Sequence, residues 1–418
     1  MAVTHHLDNP GAKGVSFYSP AQDVPAGTAV SPQAGNAPIP KLFQPLTIRG
    51  VTFPNRIWLA PMAQYSADPA NGTVTPWHMA HLGGIIMRGA GLTMTEGISV
   101  TPNGRTSPQD PGIWSDEQIA PLARLVEFAH SQNQKIGIQL AHGGRKASTV
   151  APWLAAAELI PDDLGGWSSQ VVGPSPVSYP HLAEPRALTI DQIKEIKTAY
   201  VAAMQRAVRA GFDVIEIHAG HGYLLSSFHS PASNHRSDEY GGNFENRTRL
   251  TREIVQLTRA SMPETMPLFL RVNGTDWLEE ELSLPGSWRV EDTARLAPIL
   301  ADLGVDLYDI SSGGLHPLQK VRGGPAYQTP FAQAAKSAVG DRMLVSTVGN
   351  ITHGHQANEL LEGGLDVIFA GRPFLKNPGL VWSWADDLGV QVRWANQIRW
   401  TVEGRTKRVR KDPIPEAE

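Results

Sequence analysis

The sequence contains no cysteine. This absence excludes disulfide bonds, iron–sulfur clusters, thiolate metal sites and cysteine nucleophiles, and it is consistent with a reducing compartment. A strong charge of one sign is missing as well, since 36 Lys and Arg residues stand against 40 Asp and Glu residues. A net charge of -4 does not suggest the basic surface that binds nucleic acid, so we expect no nucleic-acid partner.

Long hydrophobic runs are also absent. No apolar stretch approaches the roughly 20 residues that a membrane helix requires, and the N-terminus lacks the apolar core of a signal peptide. The first 40 residues contain one Lys and no Arg, unlike an Arg-rich transit peptide. We therefore expect a cytoplasmic protein with no membrane partner.

Most of the chain has the composition of a folded domain, because 41% of its 418 residues are hydrophobic. Residues 1–40 differ, with six Pro, four Gly and almost no apolar periodicity. Such a segment buries too little surface to offset the entropy lost when it is ordered. We predict that it is an extended or disordered N-terminal arm that carries no chemistry.

From Lys41 onward, short apolar runs alternate with longer helical patterns. Regular strand–helix alternation favours a parallel sheet, and eight such units favour a closed barrel over an open sheet. The sequence therefore predicts a TIM (β/α)8 barrel over residues 41–378. The eight predicted strands are Arg56–Ala60, Gly91–Glu96, Lys135–Leu140, Asp213–His218, Pro267–Val272, Asp306–Ser311, Met343–Val348 and Asp366–Ala370.

Two helices between these strands have clear boundary signals. Ser115 and Gln118 form a capping-box pattern before one helix, and Thr189 and Gln192 form the same pattern before another. Gly211 supplies the C-terminal stop of the second helix, directly before the next predicted strand.

Two longer segments interrupt the alternation. Residues 151–186 lie between the third strand and its helix and are rich in Pro, Gly, Trp and Ser. A long loop at that position lies over the top of the barrel, so we predict that it is a lid. Residues 379–418 follow the last strand as a C-terminal extension, whose Trp-bearing part we expect to pack and whose charged end we expect to fray.

Candidate site residues lie where strands end, since that face of a barrel holds the active site. On the fourth strand the period of two places His218 at the inner rim, and His221 and Tyr223 follow directly. Two imidazoles can polarise a carbonyl oxygen, and a phenol can deliver a proton. The alternative is a structural histidine beside ordinary loop residues, but three such groups at one strand end favour function.

The third and fifth strands offer further candidates. Gln139 can hydrogen-bond the edge of a heterocycle, and Arg145 and Lys146 follow it, with ordinary solvent charges at a helix start as the alternative interpretation of these two. Arg271 lies between apolar neighbours, where a guanidinium needs an anion or an electron-rich ring. Glu216 on the neighbouring strand is the carboxylate partner we predict, and one arginine can serve both roles.

The remaining strand ends suggest a phosphate and a flat ring. Gly349 and Gly371 allow close backbone approach after the last two strands, and Arg372 adds a matching charge. The run Ala60–Ala63 suits either a flat ring or packing of the barrel floor, with Tyr65 beyond it facing the substrate. No G-x-G-x-x-G follows the first strand, so a phosphorylated flavin fits this layout better than a nicotinamide.

These residues lie in long segments with a family resemblance. The segments are LFQPLTIRGVTFPNRIWLAPMAQYSA, TPWHMAHLG, GRTSPQDPGIWSDEQI, KIGIQLAHGGRKAST, AGFDVIEIHAGHGYLLSSFHSPASNHRSDEYGGNFENRTR and VIFAGRPFLKNP. The sequence resembles the Old Yellow Enzymes, FMN-dependent ene-reductases, and most of all their bacterial-type, thermophilic-like subgroup. The resemblance runs from about Leu42 to about Pro378.

The resemblance implies FMN as cofactor and NADPH or NADH as reductant, with an α,β-unsaturated carbonyl compound as substrate. It implies that His218 and His221 bind the substrate oxygen, that Tyr65 borders the same pocket, and that Tyr223 donates the proton. It implies no metal. The residues implied to hold FMN are Ala60, Pro61, Met62 and Ala63 at the ring, Gly97 beside a ring carbonyl, Gln139 at the pyrimidine edge, Arg271 near N1, and Gly349, Gly371 and Arg372 at the phosphate.

Two features qualify the resemblance. The subgroup commonly has Cys where this sequence has Ala63, which puts the flavin potential in question. Its members often close a neighbouring subunit's pocket with a C-terminal Arg near a Trp, so a dimer or higher homo-oligomer is expected, with Arg393 and Arg399 both candidates.

A dienoyl-CoA reductase is disfavoured by the lack of cysteine. The alternative of another class is a flavin storage or sensing protein without turnover.

Overall fold

Eight parallel strands close into a barrel in the computed structural model, which describes residues 9–404. The strands in chain order are β1 (Leu46–Ile48), β2 (Val51–Phe53), β3 (Ile57–Leu59), β4 (Leu92–Ser99), β5 (Ile136–Ala141), β6 (Val172–Gly173), β7 (Arg186–Ala187), β8 (Val214–Ala219), β9 (Leu268–Asn273), β10 (Leu307–Ser311), β11 (Leu344–Thr347) and β12 (Val367–Ala370). Around the barrel the order is β3, β4, β5, β8, β9, β10, β11 and β12, which closes on β3.

Helices surround this barrel and extend it at the C-terminal end. They are α1 (Pro76–Ile86), α2 (Ile119–Ser131), α3 (Ile190–Ala210), α4 (Leu224–His229), α5 (Phe244–Ser261), α6 (Val290–Asp302), α7 (Thr329–Val339), α8 (Gly354–Glu362), α9 (Arg372–Lys376), α10 (Leu380–Leu388) and α11 (Asn396–Glu403). Each barrel strand overlaps one of the eight predicted strands, so the predicted TIM barrel is confirmed. Within residues 9–404, no helix is both long and apolar enough to cross a bilayer.

The predicted helix boundaries are also confirmed. The Thr189 hydroxyl accepts the Gln192 N–H at 3.2 Å, and the Gln192 side chain accepts the Thr189 N–H at 3.0 Å. Gly211 ends α3 at a φ of 92°, a backbone conformation that favours glycine. Ser115 and Gln118 make the same reciprocal pair before α2, around a short 3-10 turn.

The interior of the barrel is divided into two layers. Its lower layer is aromatic: Trp58 stacks on Phe269 with ring centres 5.7 Å apart and packs edge-on against Phe369 at 5.6 Å. Phe53, from the antiparallel β1–β2 hairpin, packs against Trp58. Polar side chains begin only above this layer, so the fold directs the polar chemistry toward the carboxyl ends of the strands.

The N-terminal arm packs against the segment that follows α10. Residues 9–40 form turns and a short 3-10 helix (Ala34–Asn36), and Ala29 pairs with Val392 in an antiparallel bridge. The Gln33 amide donates to the carbonyl oxygens of Val30 and Gln391 and accepts the Gln391 N–H. Residues 1–8 and 405–418, including the charged end predicted to fray, lie outside the described residues.

Candidate active site

Two adjoining cavities of about 560 and 580 Å³ lie at the carboxyl ends of the barrel strands, and Arg271 lines both. Together they contain every residue that the sequence predicts for the cofactor. The predicted residues in the first cavity are Pro61, Ala63, Gly97, Gln139, His218, His221 and Tyr223. Those in the second cavity are Ala60, Met62, Gly349, Gly371 and Arg372.

Strand β8 places the two predicted histidines side by side. His218 Nε2 and His221 Nδ1 are 3.2 Å apart, and the second ring continues to Ser311 Oγ at 2.8 Å. His221 has a φ of 58°, and its N–H donates to Asn273 Oδ1 at 2.9 Å, which holds the turn. Burial, reinforced by the positive charge of Arg271, lowers the pKa of both imidazoles well below the usual value. Both rings are therefore neutral near pH 7 and can donate an N–H to an oxygen.

Tyr223 completes this group. Its ring lies edge-on to His218, with ring centres 5.3 Å apart, directly before helix α4. Burial, with smaller contributions from Tyr65 and Asp110, raises the pKa of Tyr223, so the phenol stays protonated at neutral pH. A protonated phenol beside two neutral imidazoles can act as a proton donor.

Lys146 lies close to His221 and Tyr223. Its ammonium group donates to the carbonyl oxygens of His221 and Gly314, both at 2.9 Å. It also lies 5.3 Å from the ring centre of Tyr223 and 5.0 Å from that of Tyr179. Burial lowers the pKa of Lys146 to about 8. The interpretation of Lys146 as an ordinary solvent charge was wrong, because the loops after β8 and β10 cover it.

Arg145 was misjudged in the same way. Its side chain is buried and donates to the carbonyl oxygens of Val177 and Leu315, so it ties the predicted lid to the loop after β10. The predicted lid also contacts Tyr65: Trp153 meets its ring edge-on at 5.5 Å.

Tyr65 itself occupies a different place from the other predicted residues. It does not contribute to the walls of the two cavities, and its backbone has a φ of 50°. Burial, then the carboxyl groups of Asp110 and Glu96, raises the pKa of Tyr65 to about 12. The position of Tyr65 at the substrate pocket stays a prediction.

A belt of polar side chains crosses five neighbouring strands inside the barrel. The Gln139 amide on β5 donates to Glu216 Oε1 on β8 at 2.8 Å. On β9, Arg271 Nε lies 3.2 Å from Asp309 Oδ2 on β10, and the Ser346 hydroxyl on β11 donates to Asp309 Oδ1 at 2.8 Å. The predicted pairing of Arg271 with Glu216 needs correction, because the ion pair is with Asp309 and Glu216 acts on Arg271 only through its charge.

The run Ala60–Ala63 is supported from behind by polar groups. Glu96 Oε2 accepts the Gln64 N–H at 2.8 Å, and Glu96 Oε1 lies 3.1 Å from His78 Nε2. The Gln64 amide donates to the carbonyl oxygen of Met62 at 2.9 Å. These contacts fix the backbone of the cavity wall, while Ala63 itself is exposed to the cavity.

The opposite end of the second cavity is shaped by glycine. Gly349 has a φ of 114°, and a Cβ added there would lie 2.6 Å from Gln328 Nε2. A Cβ added at Gly371 would lie 2.8 Å from Met62 Sδ. A Cβ at either position would press on a side chain that lines this end of the cavity, and Arg372 lies beside it at the start of α9.

The two C-terminal arginines lie on separate elements. Arg393 pairs through its backbone with Gly27 and Thr28 of the arm, and Arg399 on α11 forms an ion pair with Glu403 at 3.9 Å. Their reach into a neighbouring subunit stays a prediction.

Asp309 and Lys146 are the site residues that the sequence reasoning missed. A signal existed for Asp309, since the period of two places this ionisable residue at an inward position of its strand. No such signal existed for Lys146, because its burial depends on loops that are distant in sequence.

Comparisons with known proteins agree with this geometry. Residues 41–389 match the model of the NADH:flavin oxidoreductase / NADH oxidase family. The chain is 53% identical over 409 residues to NADH:flavin oxidoreductase FG08077 of Gibberella zeae, covering 96% of this chain and 97% of the relative. It is 40% identical over 354 residues to an NADPH dehydrogenase of Bacillus subtilis, covering 84% of this chain and 96% of the relative. Among solved structures, morphinone reductase superposes with a TM-score of 0.68 at 26% identity, over 85% of this chain and 91% of that one.

Proposed function

The chain belongs to the NADH:flavin oxidoreductase / NADH oxidase family as an NAD(P)H-dependent FMN oxidoreductase of the Old Yellow Enzyme type, and we propose that it reduces the C=C bond of α,β-unsaturated carbonyl compounds. The observation that carries this proposal is the 3.2 Å contact between the neutral rings of His218 and His221, with Tyr223 beside them. This is a site for a substrate oxygen and a proton donor at one cavity wall.

The residues present fit FMN. Gln139 and Arg271 provide donors for a polar ring edge, and the glycine-lined end beside Arg372 suits a phosphate. The backbone of Ala60–Ala63 forms the wall against which a flat ring would lie. When bound, FMN takes hydride from NAD(P)H and supplies it to the β-carbon of the substrate.

The histidines activate the substrate. His218 Nε2 and His221 Nδ1 form a hydrogen bond with each other, and the substrate oxygen would replace this bond so that each ring donates an N–H to it. Negative charge grows on this oxygen as the alkene is reduced, while Asn273 and Ser311 hold His221 in place. The two donors stabilise the transition state more than the ground state, which is the requirement for a faster reaction.

Tyr223 completes the reduction by giving its proton to the α-carbon. The nearby ammonium of Lys146 favours the phenolate that remains. Solvent then returns a proton to Tyr223 before the next turnover.

The proposal is tested with purified FMN-bound protein under anaerobic conditions. Reduction of the flavin by NADPH and NADH is followed at the flavin absorbance, and reoxidation by 2-cyclohexenone or a maleimide is followed separately. We expect the saturated product, with reoxidation but not reduction slowed about 100-fold or more in Tyr223→Phe. A flavin that NAD(P)H reduces but neither alkene reoxidises would contradict the proposal and favour the storage or sensing alternative.

A further inference from the structure

The polar belt inside the barrel contains more negative groups than its single arginine can neutralise. Glu216 and Asp309 are both fully buried, and Arg271 lies between them on the intervening strand. With both acids ionised, the belt would hold one uncompensated negative charge in a low-dielectric interior. Such a charge is costly enough that a buried carboxyl group takes up a proton instead.

The contacts indicate which acid binds that proton. Asp309 keeps its charge stabilised by the ion pair with Arg271 and by the Ser346 hydroxyl. Glu216 accepts one hydrogen bond, from Gln139. Glu216 Oε2 and Asp309 Oδ2 are both buried without a hydrogen-bond partner, so the ion pair with Arg271 is what distinguishes Asp309. Burial, then the charge of Asp309, raises the pKa of Glu216, although Arg271 and Gln139 act in the opposite direction.

Arg271 also links the belt to the cofactor. It lines both cavities and its Nε lies 3.2 Å from Asp309 Oδ2, so a flavin bound in these cavities would lie near the arginine that also offsets the charge of the belt. Negative charge on a reduced flavin competes for the same guanidinium. The carboxylate of Glu216 then loses part of its stabilisation, and its affinity for a proton rises.

We propose that Glu216 is a redox-linked proton site: at a pH where its carboxylate is still ionised in the oxidised protein, it takes up a proton from solvent when the flavin is reduced. Hydride from NAD(P)H brings two electrons and one proton to the flavin, which becomes an anion. The second proton adds to the Glu216 carboxylate and forms the neutral acid. The charge gained by the flavin is thereby offset, and no further oxidant or reductant is required. The inference depends on FMN binding but not on the alkene acceptor.

The experiment measures the midpoint potential of the bound FMN against pH, from about pH 6 to about pH 9.5. Below the pKa of Glu216 in the oxidised protein, the acid is neutral in both redox states, and one proton accompanies two electrons. Above that pKa, we expect two protons per two electrons. The slope of the potential against pH should therefore double in the unmodified protein as the pH rises through the pKa of Glu216, which burial raises above its usual value.

Glu216→Gln is the decisive variant, since its amide resembles the protonated acid and can still accept from Gln139. It should bind FMN and show one proton per two electrons throughout. Glu96→Gln is the matched control, because Glu96 is a buried acid that faces His78 and not Arg271. Lys146→Met tests a second group that titrates in this pH range, since burial lowers the pKa of Lys146 to about 8. Both controls should keep the doubled slope.

A second readout reports the proton directly. Reduced-minus-oxidised infrared difference spectra above the pKa of Glu216 in the oxidised protein should gain the C=O band of a protonated carboxylic acid, and this band should be missing in Glu216→Gln. A single-proton slope over the whole range in the unmodified protein, or a doubled slope that survives in Glu216→Gln, would overturn the proposal. Failure of alkene reduction would affect only the proposed function.

Discussion

The ammonium group of Lys146 lies 5.3 Å from the ring centre of Tyr223 and donates to the backbone carbonyl oxygen of His221 at 2.9 Å. One buried cation therefore contacts both the proposed proton donor and the turn that holds the proposed oxygen-binding histidine. Loss of the proton makes Tyr223 an anion, which this cation stabilises.

Replacement of Lys146 by Met should slow the oxidative half-reaction and spare the reductive one. A cation beside a desolvated ring contributes up to about 2 kcal/mol, so we expect roughly a tenfold loss in the rate of alkene reduction. Stopped-flow measurement of each half-reaction separates the two effects. Lys135→Met is the control, since Lys135 lies at the start of β5, near Asp213 and away from the cavity. Equal slowing of both half-reactions would contradict the assigned role.

The same lysine predicts a pH dependence. Because burial lowers the pKa of Lys146 to about 8, its charge is present below that pH and lost above it. The oxidative half-reaction should therefore slow as the pH rises through about 8. In Lys146→Arg the charge persists, and this decline should disappear. A decline of the same size in Lys146→Arg would assign it to another group.

The sequence predicts the barrel and much of the site because both depend on local rules. The period of two places His218 and Arg271 on the inner face of their strands, and the carboxyl ends of barrel strands meet at one face. The partner of Arg271 could not be predicted in this way. Glu216 and Asp309 lie on the two strands that flank it, and only the relative position of the strands in the closed barrel decides between them.

Gly349 should control FMN affinity. An added Cβ would enter the end of the cavity 2.6 Å from Gln328 Nε2, and a φ of 114° is unfavourable for any side chain. We expect Gly349→Ala to weaken FMN binding at least tenfold, which is about 1.4 kcal/mol. Gly364→Ala is the matched control, since its φ of 104° brings the same backbone cost with no atom near the new Cβ. Fluorescence titration of the apoprotein with FMN measures both, and equal affinities would exclude a role for Gly349.

The contact between the N-terminal arm and the segment around Gln391 should contribute to stability through Gln33. Its side chain makes three hydrogen bonds, which join the arm to Gln391 and Val30. Gln33→Ala leaves these groups without partners, and we expect the free energy of unfolding to fall by about 1–3 kcal/mol. Gln44→Ala, which removes one exposed hydrogen bond to Ile39, should change it little. Urea denaturation compares the two variants, and equal losses would mean that the arm adds nothing.

Ala63 should affect the flavin potential because its side chain has no hydrogen-bond donor. It is exposed to the cavity next to the proposed ring wall, and its backbone is fixed from behind through Gln64 and Glu96. A thiol in this position can hydrogen-bond the flavin, whereas a methyl group cannot. Ala63→Cys should therefore shift the midpoint potential and alter the rate of reoxidation by an alkene. Valine is similar in volume to cysteine but has no donor, so Ala63→Val separates the effect of a hydrogen bond from the effect of side-chain volume. If both variants shift the potential equally, the effect is steric, and if Ala63→Cys leaves both the potential and the rate unchanged, the residue does not tune the flavin.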